Sequence, residues 1–180
     1  MHFEILNTEH LSLRKLTPET FDYIYAAFSE DALLHFLGLE SEKALAIEKE
    51  KHQKGLSTFN KSFLYFQIID KKTETIIGWC GYHTWYLDHN RAEIGYGLFD
   101  DKYKKKGVMT EAIKPIIHYG FHKMNLHRIE AFISPENNAS LKLIEKFGFT
   151  QEGHLYEHYL KNNVMEDSVV FSLLQRNYKI

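Results

Sequence analysis

The sequence predicts a mixed α/β fold: a mostly antiparallel first half, then a strand–helix–strand–helix unit. Two patterns carry this. Up to about residue 99, most apolar residues fall in alternating or short continuous runs bounded by polar turns, which is the spacing of strands in hairpins. From Met109 the period changes. Met109, Ala112, Ile113, Ile116, Ile117, Gly120 and Met124 recur at helical spacing. A chain of 180 residues can bury one good core, and no Gly/Ser linker, low-complexity tract or internal repeat divides it. A single domain over residues 1–180 is the expectation.

The elements follow in order. "LSLRKL", Leu11 to Leu16, alternates as a strand. In "TPETFDYIYAAF", Thr17 caps a helix, Pro18 suits its first position and Thr20 begins its core face. "SEKALAIEKEKHQKG" is a second helix between Ser41 and Gly55. "SFLYFQIID" and "TIIGWCGYHTWYL" are strands joined by the charged turn "KKTE", and "RAEIGYGLF", Arg91 to Phe99, is a third strand of the meander. The helix from Met109 contains Pro115 on its more polar face, where a local bend without loss of the helix is expected. "HRIEAFI" is a strand ending near Ser134. "ENNASLKLIEKFGF" is a short helix with Asn137 as cap and Gly148 as terminator. "YEHYLKN" and "DSVVFSLL" are strands joined by a turn at Asn162 and Asn163.

Composition excludes several function classes. A formal charge of -2 provides no global basic field for nucleic acid. The lone Cys80 excludes an intrachain disulfide framework and a cysteine-rich metal site. The 11 histidines show neither HExxH nor a tight metal-spaced trio, so no metal is expected. "MHFEILNTEH" reads as neither a signal peptide nor a membrane span, so a soluble cytoplasmic protein without a membrane partner is expected.

The stretch "KYKKKGVMTEA", residues 102–112, joins a strand to a helix. The first turn of a helix has free amides and a positive field, Gly107 permits close backbone approach, and Lys102, Lys104, Lys105 and Lys106 add charge. An anion site and a plain solvated turn both fit. Neither the triphosphate loop GxxxxGK nor the dinucleotide fingerprint GxGxxG is present.

Four stretches together carry a family resemblance: "AEIGYGLFDDKYKKKGVMTEAI", "HRIEAFISPENNAS", "LIEKFGF" followed by "QEGHL", and "LSLRKLTPE". In order and spacing they resemble the Gcn5-related N-acetyltransferase (GNAT) superfamily. Within it they are most similar to the branch that acetylates the N-termini of ribosomal proteins. The similarity spans nearly all of the chain, with a variable part around residues 31 to 62. It implies an acyl-CoA N-acyltransferase fold, with a mostly antiparallel central sheet flanked by helices and splayed central strands.

The resemblance also implies acetyl-CoA as cofactor. Its pyrophosphate would sit on the amides of Lys105, Lys106, Gly107, Val108, Met109 and Thr110, with Lys104 at the rim. Its pantetheine arm would lie between the strand ending at Ser134 and the strand carrying Gly95, Tyr96, Gly97, Leu98 and Phe99, touching Asn137. Gly95 and Gly97 fit a bulge or serve packing alone. Transfer would be direct to an amine, so Cys80 is left as a core residue. A backbone N–H near Gly95 is a candidate oxyanion donor.

Glu93 matches an acidic position of the branch and is the first candidate base; the bland alternative is a cross-strand ion pair. Ser140 would meet the departing thiolate, and both Ser140 and Asn137 could equally cap their own helix. Ile144 stands where many relatives place a tyrosine acid. Tyr159 stands where some members of the branch place a glutamate; Glu157, on the same face if the strand stays regular, is the alternative base, with Tyr159 as a proton donor. Trp79, Tyr82, Trp85 and Tyr86 line an acceptor groove or pack a sheet face. The acceptor would be a primary amine such as a protein N-terminus. Small amines, polyamines and a non-catalytic acyl-CoA-binding module remain alternatives, and homodimerisation is left open.

Overall fold

The computed structural model describes residues 1–55, 57–58 and 60–179. Leu56 and Phe59, inside the variable segment expected to shape the acceptor side, and the terminal Ile180 lie outside the described residues. The chain folds as β1 (Ile5–Asn7), β2 (Leu11–Leu16), α1 (Pro18–Ala27), α2 (Glu30–Leu37), α3 (Glu42–Gln53), β3 (Lys61–Asp70), β4 (Ile76–Tyr86), β5 (Arg91–Leu98), α4 (Val108–His122), β6 (Arg128–Ile133), α5 (Asn138–Lys146), β7 (Thr150–Lys161) and β8 (Val164–Leu174). The strands form one sheet in the order β1-β2-β3-β4-β5-β6-β8-β7. Every pairing is antiparallel except β5 with β6, between which α4 carries the chain back to the same end.

The expected start and stop signals operate. The Thr17 N–H donates to Thr20 Oγ1 at 3.1 Å ahead of α1, the Ser41 hydroxyl accepts from Ala44 N, and Asn137 Oδ1 accepts from Ser140 N at 3.1 Å. Asn162 and Asn163 both take positive φ, the geometry of a tight hairpin turn. α4 continues through Pro115. Two elements were not expected from the sequence. β1 has only three residues, and α2 has eight, too few for a clear period. α2 is held by tertiary contacts: Phe36 O, at its C-terminal end, accepts from Arg14 Nη2 at 2.7 Å and Gln67 Nε2 at 2.9 Å.

Strand alternation sorts the sheet into two faces. Leu64, Phe66 and Ile68 of β3, Cys80 and Tyr82 of β4 and Ala92 and Ile94 of β5 join the apolar cluster that includes Ile113, Ile116 and Ile117 of α4. A second cluster, with Leu16, Ile24, Leu33, Phe36 and Leu45, lies under α1, α2 and α3. Trp79, His83, Glu93 and Gly95 belong to the face opposite the α4 cluster.

One interruption in the sheet positions the site. β5 and β6 pair only at Arg91↔Arg128, Ala92↔Ile129 and Glu93↔Glu130. Beyond that rung each strand keeps its outer partner: β5 stays with β4 as far as Leu98, and β6 with β8 as far as Ile133. The two central strands therefore diverge while each stays in its outer ladder, leaving backbone polar groups on their facing edges without a ladder partner.

Candidate active site

The divergence opens into a cleft of about 520 Å³ bounded by Tyr96, Gly97 and Leu98 of β5, the loop before α4, and Asn137, Ser140 and Leu143 of α5. Gly107 is the N-cap of α4 with φ 78°, and Lys105 is also left-handed at φ 58°. No atom lies within 4 Å of where a Gly107 Cβ would be, so the approach to the helix start is open. The first intrahelical bond is Glu111 N to Gly107 O at 2.9 Å, which leaves the amides of Val108, Met109 and Thr110 without an intrahelical acceptor. Open backbone, free amides and the helix field suit a pyrophosphate. Two of the lysines are engaged elsewhere, Lys102 Nζ with Asp100 at 2.9 Å and Lys104 Nζ with Asp101 at 2.5 Å.

On the opposite face a smaller cavity of about 220 Å³ is bounded by Trp79, His83, Glu93, Gly95, Phe132 and Ser134, among others. The Glu93 side chain is only 12% exposed. Burial pushes its carboxyl up to about 7; the neighbouring Glu130 carboxylate adds to this, and the Tyr159 hydroxyl opposes it. His83 Nδ1 lies 3.5 Å from Glu93 Oε2, and burial lowers the His83 pKa, favouring the neutral ring. Arg91 Nη1 and Arg128 Nε bind Glu130 instead, at 2.6 and 2.8 Å. Glu93 is thus a buried carboxylate without an arginine or lysine partner among the described residues, poised to exchange a proton near neutrality. Gly95 has little room for a side chain: a Cβ there would stand 2.7 Å from His83 Nε2 and 3.0 Å from Trp79. Packing alone therefore accounts for that glycine.

Most expected residues converge. Tyr96, Gly97, Leu98, Lys104, Lys105, Gly107, Val108, Met109, Thr110, Asn137 and Ser140 border the cleft, while Glu93 and Gly95 border the cavity. Phe99 and Lys106 border neither; Phe99 is 58% exposed. Glu157 is displaced for a clear reason. β7 is not regular there: Leu155 pairs with Ser168 and Tyr159 with Glu166, so Tyr156, Glu157 and His158 together face Asp167. Glu157 takes φ 48°, gives its N–H to Asp167 Oδ1 at 2.8 Å, and is exposed outside both cavities. The expectation that it shares a face with Tyr159 assumed regular alternation, and the bulge removes it. Tyr159 does come near Glu93.

Ile144 is fully buried and Cys80 is a buried core thiol. The aromatic cluster is split by alternation: Trp79 borders the Glu93 cavity, while Tyr82 is sealed in the core with its hydroxyl donating to Ile116 O at 2.8 Å. Glu130 and His83, the rung partners of Glu93 on β6 and β4, are not legible as its neighbours in the sequence because only strand register brings them together. Beyond Trp79, its edge-to-face partner Tyr65 (5.3 Å) borders a further cavity of about 450 Å³ with Phe21, Glu48, Lys51, His52 and Phe63.

The diverging parallel strands and the open start of α4 are features of an acetyltransferase fold, and comparison with known proteins agrees. Residues 10–150 match the acetyltransferase (GNAT) domain family, so the chain belongs to that family. It is 34% identical over 177 residues to the uncharacterized N-acetyltransferase p20 of Bacillus licheniformis, covering 97% of this chain and 98% of that protein. The ribosomal-protein-S5-alanine acetyltransferase of Vibrio fischeri superposes with a TM-score of 0.68 at 26% identity, covering 98% of this chain and all of that one (100%). A spermidine N-acetyltransferase variant of Vibrio cholerae superposes with a TM-score of 0.69 at 23% identity, over 95% and 97% of the two chains, and that likeness shows the fold alone. Acetyl-CoA is the acyl donor this fold implies, and the cleft fits it.

Proposed function

We propose that this protein transfers the acetyl group of acetyl-CoA directly to one primary amine, the free N-terminus of a protein, with Glu93 as the general base. The observation that carries the reading is the Glu93 carboxyl pushed up to about 7 beside the open end of the diverging strands. An acceptor amine arrives mostly as an ammonium ion. It must lose one proton before attack and a second as the amide forms. A carboxylate with a pKa near the working pH can accept each in turn and pass it to water.

The donor supplies an activated acetyl thioester. The amides of Val108, Met109 and Thr110 would hold its pyrophosphate, and the unpaired edges of β5 and β6 its arm. Asn137 and Ser140 border the join of cleft and cavity, where Ser140 would meet the thioester sulfur. A passive acyl-CoA-binding module would have no use for a buried carboxylate without an arginine or lysine partner among the described residues beside its ligand.

The preference for a single amine over a polyamine rests on the cavity beside Tyr65. Its one carboxylate among the described lining residues, Glu48, is held by Lys51 at 2.5 Å, and Lys54 lies nearby. A polycation would favour a run of free carboxylates there. The test is coenzyme A release from acetyl-CoA with peptides of different N-termini, spermidine and small monoamines as acceptors. Turnover with free-N-terminal peptides and none with N-blocked ones is expected. Faster turnover of spermidine would replace the acceptor. Tight coenzyme A binding without turnover of any amine would overturn the enzymatic reading.

A further inference from the structure

Three residues border both the cofactor-sized cleft and the Glu93 cavity: Tyr96, Asn137 and Ser140. A thioester entering from one side and an amine from the other can meet only where the two spaces join, so these three would surround the reacting sulfur. Their polar groups are not equally free. Asn137 Oδ1 is occupied by Ser140 N at 3.1 Å. The Ser140 hydroxyl holds its proton too tightly to release it. The Tyr96 hydroxyl is buried and has no hydrogen-bond partner among the described residues. Ser140 lies close to it without meeting hydrogen-bond geometry, so the phenolic proton is uncommitted. A buried donor left unpaired costs stability and asks for an explanation. A ligand atom arriving at the join would provide one.

We propose that Tyr96 is the catalytic acid of this site, donating its phenolic proton to the departing coenzyme A thiolate. The inference rests on the acetyl-transfer reading above. As the amine nitrogen bonds to the carbonyl carbon, it gives one proton to Glu93. The carbon–sulfur bond breaks with its electron pair going to sulfur. The Tyr96 O–H bond breaks and an S–H bond forms. Glu93 then holds one proton more and Tyr96 one fewer, and exchange through water restores both. Burial pushes the phenol up to about 12. No acid reaches the join from the side chain of Ile144, which is sealed in the core.

The experiment compares wild type with Tyr96→Phe in two arms. Calorimetry with coenzyme A and with its desulfo analogue, from pH 7 to pH 9.5, reads the sulfur contact without turnover. Wild type should come to favour coenzyme A by roughly tenfold as the thiolate forms, and Tyr96→Phe should bind both equally. In the second arm kcat should fall by roughly 10²-fold, and by less with an acetyl thioester of a more acidic thiol. Equal weakening of both ligands would mean that Tyr96 only packs the wall, and wild-type kcat in the variant would overturn the proposal. If wild type acetylates no amine, the acetyl-transfer reading falls with its acid, and the first arm still reports whether the hydroxyl meets sulfur. Should Tyr96→Phe fail to fold, fluorotyrosine at position 96, a more acidic phenol, must change the leaving-group dependence or the proposal fails.

Discussion

Glu93 and Glu130 stand side by side on the last parallel rung between β5 and β6, and the arginines go to only one of them. Glu130 takes Arg91 at 2.6 Å and Arg128 at 2.8 Å. Glu93 is left with burial, a like charge, the Tyr159 hydroxyl and a His83 contact at 3.5 Å. The arginines hold Glu130, and burial leaves Glu93 able to change state near pH 7.

Glu93→Gln keeps shape and removes the base, so turnover should fall by roughly 10²–10⁴-fold with coenzyme A affinity little changed. Much of the loss should return at high pH, where the amine is already free. Glu157→Gln, on the bulge, should have a much smaller effect. A pH–rate profile of both variants with one good acceptor checks this, and a near-normal Glu93→Gln beside a collapsed Glu157→Gln would exchange their roles.

The acid limb of kcat/KM should lie near pH 7 in wild type, because the base must be ionised and its pKa is raised to about 7. Glu130→Gln removes a neighbouring negative charge. It should lower the Glu93 pKa and carry the limb to lower pH. Tyr159→Phe removes a group that favours the carboxylate, so it should move the limb upward. Opposite displacements in the two variants are the signature; a common direction would mean that Glu93 does not govern the limb.

Gly107 has open space for a side chain but a backbone at φ 78° that branched residues avoid. Gly107→Val should therefore change the loop and misdirect the amides at the start of α4, weakening coenzyme A by at least roughly tenfold in calorimetry. Gly107→Ala should lose less. Unchanged affinity in the valine variant would place the phosphates elsewhere.

Ile144→Tyr would put a phenol at the position where the family resemblance expects one. Ile144 is completely buried, so the larger side chain should overpack the core and lower stability by about 1–3 kcal/mol. It should not restore turnover to Tyr96→Phe. Denaturant unfolding and a double-variant assay test both halves, and recovered turnover would show that α5 can turn this face to the cleft.

The sequence by itself determined the strand meander, the long helix from its 3.6-residue period, the capping residues Thr17, Ser41 and Asn137, and the glycine before α4. These are local matters of side-chain period, φ preference and hydrogen-bonding reach, legible within a few residues. It also singled out Glu93 through a match of motif. Tertiary structure alone decided what Glu93 could do. Its pKa depends on burial, on Glu130 from a strand 37 positions later and on Tyr159 from another; residues so far apart meet through sheet register, which no short stretch encodes. Register also set Glu157 outside both cavities, on a bulge of β7. It placed Tyr96, which the sequence assigns only to the strand beside the pantetheine arm, opposite α5, with a hydroxyl unpaired among the described residues at the join of two cavities.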